Sequence, residues 1–130
     1  MPYRLPGDEL VADAVRRALE GRKTMLSQRE FRERVLQELR KSDPGLTISG
    51  PRLRRLALTR GLVRVEISWR ATDRKVALFN CPVCGTRLRP TRNETVFGGT
   101  VTLGFRCPTC PFRSSVRRRE PTRYVFTRRE

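Results

Sequence analysis

The chain has 130 residues, 37% of them hydrophobic, which suffices for one ordinary domain or two minimal ones with a modest core. Its 29 Lys and Arg against 13 Asp and Glu give a formal charge of +16, far more than solubility requires, and point to a polyanionic partner. No stretch approaches the ~18 apolar residues of a membrane span, and the opening MPYRLPGDEL lacks the layout of a secretory signal; the expectation is a cytoplasmic protein with no membrane partner, associated with nucleoid or ribosome.

The charge is unevenly spread. Residues 1–45 hold 10 basic and 8 acidic side chains, whereas residues 46–130 hold 19 basic and 5 acidic, so the front reads as scaffold and the remainder as contact surface. Only Lys23, Lys41 and Lys75 are lysines, leaving 26 arginines, the side chain whose planar fork grips phosphate and guanine edges. A GC-rich or thermophilic genome would explain the preference for Arg equally well, but not the excess of charge.

Residues 8–20 read as a helix with Asp8 as N-cap, Leu10, Val11, Ala14, Val15, Ala18 and Leu19 at helical spacing, and Gly21 at its end. After a short extended Thr24-Met25-Leu26, the capping box Ser27-Gln28-Arg29-Glu30 opens a helix with Phe31, Val35, Leu36 and Leu39 inside, ended by Asp43-Pro44-Gly45. A third helix is expected to start near Ser49-Gly50-Pro51 and stop at Gly61, with Leu53, Leu56 and Ala57 inward. Arg52, Arg55 and Thr59 would then share the outer face, with Arg54 on its flank.

From Val63 the period becomes two: Val63, Val65, Ile67 and Trp69 alternate with Arg64, Glu66, Ser68 and Arg70, followed by a turn at Ala71 to Arg74 and a second strand from Lys75 to Phe79. This order of helix, short strand, two helices and hairpin is that of a winged helix. The SDPGLTIS connection between the second and third helices is longer than such domains commonly use. A boundary is expected near Asn80, dividing residues 1–80 from residues 81–130.

Cys81-Pro82-Val83-Cys84 and Cys107-Pro108-Thr109-Cys110 contain every cysteine of the chain, with 22 residues between the pairs. Two residues between thiolates let one backbone turn offer both sulfurs to a metal, and two such knuckles close a tetrahedral four-cysteine site for one structural Zn2+. Gly98-Gly99 supplies a hairpin turn between the knuckles, Val101, Leu103 and Phe105 alternate on the returning strand, and a third strand is expected from Phe112 toward Val116. Gly85 suits the positive φ that follows a knuckle; Pro111 at the matching place does not, so the second knuckle is expected to be less regular.

The motif Cys-Pro-Val-Cys-Gly at 81–85 with Cys-Pro-Thr-Cys at 107–110 resembles the zinc ribbons of transcription and translation factors. Joined to the preceding winged-helix pattern, the whole chain is similar to archaeal predicted transcriptional regulators that fuse a helix-turn-helix domain to a zinc ribbon, and more distantly to the transcription factor E alpha family. The resemblance implies an α+β architecture: an N-terminal winged-helix-like domain of three helices and a β-hairpin, then a small β zinc ribbon with a basic tail.

In that tail Arg117, Arg118, Arg119 and Arg123 interleave with Tyr124 and Phe126, either as a single-strand stacking site or, the favoured reading, with the two aromatics covering the small ribbon. The expected function is DNA binding by a transcriptional regulator, through Arg52, Arg54, Arg55 and Thr59 on the third helix and Arg70, Arg74 and Lys75 on the hairpin. RNA or ribosome association and a protein adaptor of the transcription machinery are the alternatives. An enzyme is not expected: the chain has no histidine, a closed four-thiolate site has no open position, and the carboxylates after residue 46 are scattered.

Overall fold

The computed structural model describes residues 4–73, 79–94, 98–115 and 119–129. Helix α1 (Asp8–Gly21) corrects the expected cap: Gly7 holds that position, no side chain caps the helix, and Asp8 and Glu9 lie in its first turn, where the helix dipole favours negative charge. Val11, Ala14, Val15, Ala18 and Leu19 are buried along its inner face. Strand β1 (Thr24–Met25) leads into α2 (Gln28–Ser42), which starts at the capping box. The Glu30 N–H donates to Ser27 Oγ at 3.0 Å, and the Leu26 N–H donates to the Glu30 carboxylate at 2.8 Å. Phe31, Val35, Leu36 and Leu39 form the buried stripe.

Helix α3 (Gly50–Thr59) is capped by Ser49, whose Oγ accepts the Arg52 N–H at 3.2 Å, and it stops before Gly61, which takes φ +67°. The long connection ahead of it is anchored. Leu46 and Ile48 are buried, and their carbonyls accept Arg40 Nε at 3.0 Å and Arg32 Nε at 2.7 Å. The chain near Arg4 runs beside it, with Arg4 N–H donating to the Gly45 carbonyl and Thr47 N–H to the Arg4 carbonyl.

Strand β2 (Val63–Ala71) buries Val63 and Val65 and exposes Arg64 and Glu66, as the period of two requires. Its described partner is not the next segment. Residues 74–78, which hold most of the expected second hairpin strand, lie outside the described residues, and β2 pairs antiparallel with β6 (Arg119–Arg128). The sheet order is β1-β6-β2, so the segment read as the ribbon's basic tail is the central strand beneath the helices. Phe126 stands opposite Met25 and Val65, fully buried, with its ring 4.7 Å from that of Phe31. Pro121 is tolerated because a register shift between Ser68 and Trp69 falls there and β1 reaches only Phe126 and Thr127.

A second antiparallel sheet, ordered β3-β4-β5, contains β3 (Arg89–Glu94), β4 (Thr100–Arg106) and β5 (Arg113–Ser115). The turn residue Gly98 has φ +83°. The boundary expected near Asn80 marks a change of sheet but not of core. One contiguous buried cluster includes Val11, Phe31, Leu53 and Phe126 together with Val83, Leu88, Phe112 and all four cysteines.

Because β6 closes the first sheet, Phe126→Ala is expected to cost about 3–5 kcal/mol of global stability, the usual range for emptying a buried Phe site. Urea unfolding followed by the helical signal checks this; a shift below ~1 kcal/mol would show that the helices do not depend on the C-terminal strand.

Candidate functional site

The two knuckles bring four sulfurs together in the buried interior. Cys81 Sγ lies 3.6 Å from Cys110 Sγ and Cys84 Sγ lies 3.4 Å from Cys107 Sγ, too far for disulfides, and all four sulfurs lie within 4.8 Å of one another. Zinc–sulfur bonds of about 2.3 Å in a tetrahedron place sulfurs about 3.8 Å apart. The donor set therefore fits a metal ion that takes four thiolates.

The first knuckle is built by its backbone. Cys81 N–H donates to the Thr86 carbonyl at 2.8 Å and Gly85 N–H donates to the Cys81 carbonyl at 2.9 Å, with Gly85 at φ +83°. Val83 N–H points at Cys81 Sγ at 3.4 Å. In the second knuckle Thr109 and Cys110 N–H both reach Cys107 Sγ at 3.4 Å, while Pro111 has no N–H to repeat the Gly85 bond. Hydrogen bonding with Cys110 and Cys81 holds the Cys84 thiol well below the ordinary thiol range, and hydrogen bonding with Cys81 and Cys84, together with burial, pushes Cys110 well above it. A metal bound there would displace the remaining thiol protons.

Arg54 corrects the expected nucleic-acid face. It is only 6% exposed, and its guanidinium faces the first knuckle. Nε donates to the Val83 carbonyl at 2.5 Å, Nη2 to the Pro82 carbonyl at 3.0 Å, and Nη1 to Gln28 Oε1. The Tyr124 ring lies 4.7 Å from the guanidinium carbon, so the arginine joins α2, α3, the knuckle and β6. Tyr124 and Phe126 accordingly pack within the fold, on the helices and Arg54.

The rest of the α3 face is partly neutralised from within. Arg52 Nη2 donates to the Pro6 carbonyl at 2.7 Å and to Asp8 at 2.9 Å, and Arg60 pairs with Glu9 at 2.5 Å. Arg55 and Thr59 remain exposed beside them, Thr59 Oγ1 donating to the Arg55 carbonyl at 2.8 Å. Around β2 and β6, Arg70 pairs with Glu120 at 2.9 Å, Arg119 lies 5.1 Å over the Trp69 ring, and Arg123 Nε donates to the Leu26 carbonyl at 3.2 Å. Arg74, Lys75, Arg117 and Arg118 lie outside the described residues.

A different set of arginines has no ion pair among the described residues. Arg87, Arg89, Arg92, Arg106 and Arg113 are exposed around the β3–β4–β5 sheet, and Glu94 is the only acidic residue between positions 79 and 115. Sequence reasoning missed this group because its members are dispersed along the chain; only strand register assembles them. Comparison with protein-family models, curated proteins and solved structures finds no significant match to the chain. Among the described residues no helix is long and apolar enough to cross a membrane.

Arg54→Met is expected to cost about 2–3 kcal/mol, because it strands the Pro82 and Val83 carbonyls and the Gln28 amide. Arg54→Lys should recover little, since one ammonium cannot reproduce the fork. Urea midpoints for the three proteins test this, and a Met variant within ~0.5 kcal/mol of the parent would remove the joint from the account.

Proposed function

We propose that this chain is a zinc-stabilised nucleic-acid-binding protein that combines a winged-helix-like unit with a four-cysteine zinc ribbon and has no catalytic centre of its own. The carrying observation is the group of five exposed arginines beside the cysteine cluster, in a segment with a single acid. Cys81, Cys84, Cys107 and Cys110 would hold one zinc, closed to substrate and serving stability. A regulator reading duplex DNA through α3 is the more specific form of the proposal. It has weaker support, since Arg54 is buried and Arg52 and Arg60 are paired with Asp8 and Glu9.

A second reading, an adaptor for another protein of the transcription or translation machinery, is favoured by Val101 and Leu103, which stand 47% and 53% exposed on β4. The salt dependence of binding separates the two. Neutralising several phosphates gives a linear fall of log affinity with log salt, worth about 0.7 to 0.9 per phosphate contacted, and an apolar protein contact does not. A steep slope is expected for nucleic acid, and no detectable binding to DNA or RNA at low salt would leave the adaptor standing.

Cys81→Ser is expected to abolish stoichiometric zinc and to unfold residues 81–115, because site formation and folding are one process in so small a sheet. Native mass spectrometry and amide spectra of the full chain check both, and a metal-free variant that keeps its sheet would refute a structural metal.

A further inference from the structure

We propose that one face of the β3–β4–β5 sheet is the binding surface, and that its occupant is the backbone of a single nucleic-acid strand. The proposal rests on the nucleic-acid reading above and names its site. In the observed register Arg89 is the partner of Arg106, and Arg106 is the partner of Arg113. Three arginines therefore stand side by side on one face, at the strand spacing of about 4.8 Å, in a row about 10 Å long.

Like charges directly opposite each other destabilise a sheet. All three side chains are exposed, and none has an ion pair or side-chain hydrogen bond among the described residues. The sulfurs do not use them either, since their hydrogen-bond partners are backbone N–H groups, the Thr86 hydroxyl, which accepts from Cys84, and one another. Among the described residues the row thus has no compensating carboxylate, and phosphates would supply the compensation.

The neighbouring row on the same face is Thr91, Gly104 and Ser115. Gly104 is required there, because a Cβ would run into the Ser114 carbonyl oxygen. The register shift after Thr91 sets Arg92 opposite Thr102, which adds a fourth arginine to the face. A cleft of about 670 Å³, lined in part by Thr91, Arg106, Arg113, Ser115 and Arg119, continues from the row.

Arg119 lies over the ring of Trp69, a residue 37% exposed, so a partly exposed aromatic stands beside the basic track. A basic track with an aromatic beside it is the combination that single strands use.

The test uses the zinc-loaded full chain and fluorescein-labelled oligothymidylate of about 15 nucleotides, with a mixed-sequence duplex of the same length alongside. Arg89→Gln/Arg106→Gln/Arg113→Gln is compared with Arg34→Gln/Arg64→Gln/Arg129→Gln, which removes the same charge from exposed positions on α2, on β2 and just after β6. The sheet triple is expected to bind the single strand at least about tenfold more weakly and to lose about 2 units of salt slope, at about 0.7 per contact. It should also melt no lower than the parent, since it relieves repulsion, whereas a structural row would lower the melting temperature and overturn the proposal. Equal weakening by both triples would reduce the row to diffuse charge and overturn it. A parent that prefers the duplex, with that preference untouched by the sheet triple, would also overturn it while leaving the nucleic-acid reading intact. A parent that binds neither probe would end both.

Discussion

The buried guanidinium of Arg54 is the interaction on which the two parts of the molecule depend. It starts from a helix and ends on the carbonyls of Pro82 and Val83, inside the loop that holds two of the four sulfurs. A cation taken out of water is costly unless its donors are satisfied, and here the knuckle, Gln28 and the face of Tyr124 satisfy them. The geometry that a metal requires at Cys81 and Cys84 is therefore the geometry that Arg54 requires at Pro82 and Val83. Metal occupancy and the seating of α3 become one problem, and neither half of this small chain has to be stable alone.

Strand β6 makes the same connection from the other side. It leaves the cysteine-bearing sheet, with the Arg119 N–H on Ser114 Oγ, and then runs between β1 and β2 under the helices. The cysteine-bearing segment is thus held at both ends: residues 79–115 lie between β2 and β6, and those two strands pair with each other. Loosening it costs contacts on both sides, which is how a sheet with few buried side chains can still present a defined surface.

The helices were legible in the sequence because their signals are local. The capping box at Ser27 and Glu30, Pro51 in the first turn of α3, the apolar stripes and Gly61 each act within a few residues. The cysteine cluster was legible because CxxC geometry is local as well, and the observed sulfurs gather as the spacing requires. What failed was non-local. Pro121 and the arginines around it disguised a central strand as a tail, and nothing near β2 says that its partner begins about fifty residues on. Arg54 read as a surface charge because helical periodicity places it on a flank, and periodicity carries no information about a knuckle that folds back over that flank.

The same distinction decides what the arginine excess means. Many arginines are consumed by the fold: Arg32, Arg40 and Arg54 donate to buried or loop carbonyls, and Arg4, Arg17, Arg22, Arg52, Arg60 and Arg70 meet carboxylates. Exposed pairs of that kind add little stability, but they cancel the charge locally. The acidic residues concentrate before position 45, so cancellation is strongest on the helices and weakest on the β3–β4–β5 sheet. A composition bias toward arginine would raise the number everywhere; it would not align Arg89, Arg106 and Arg113 across three strands, where their mutual repulsion opposes the fold. Placement against stability, more than total charge, is what the proposed binding face rests on.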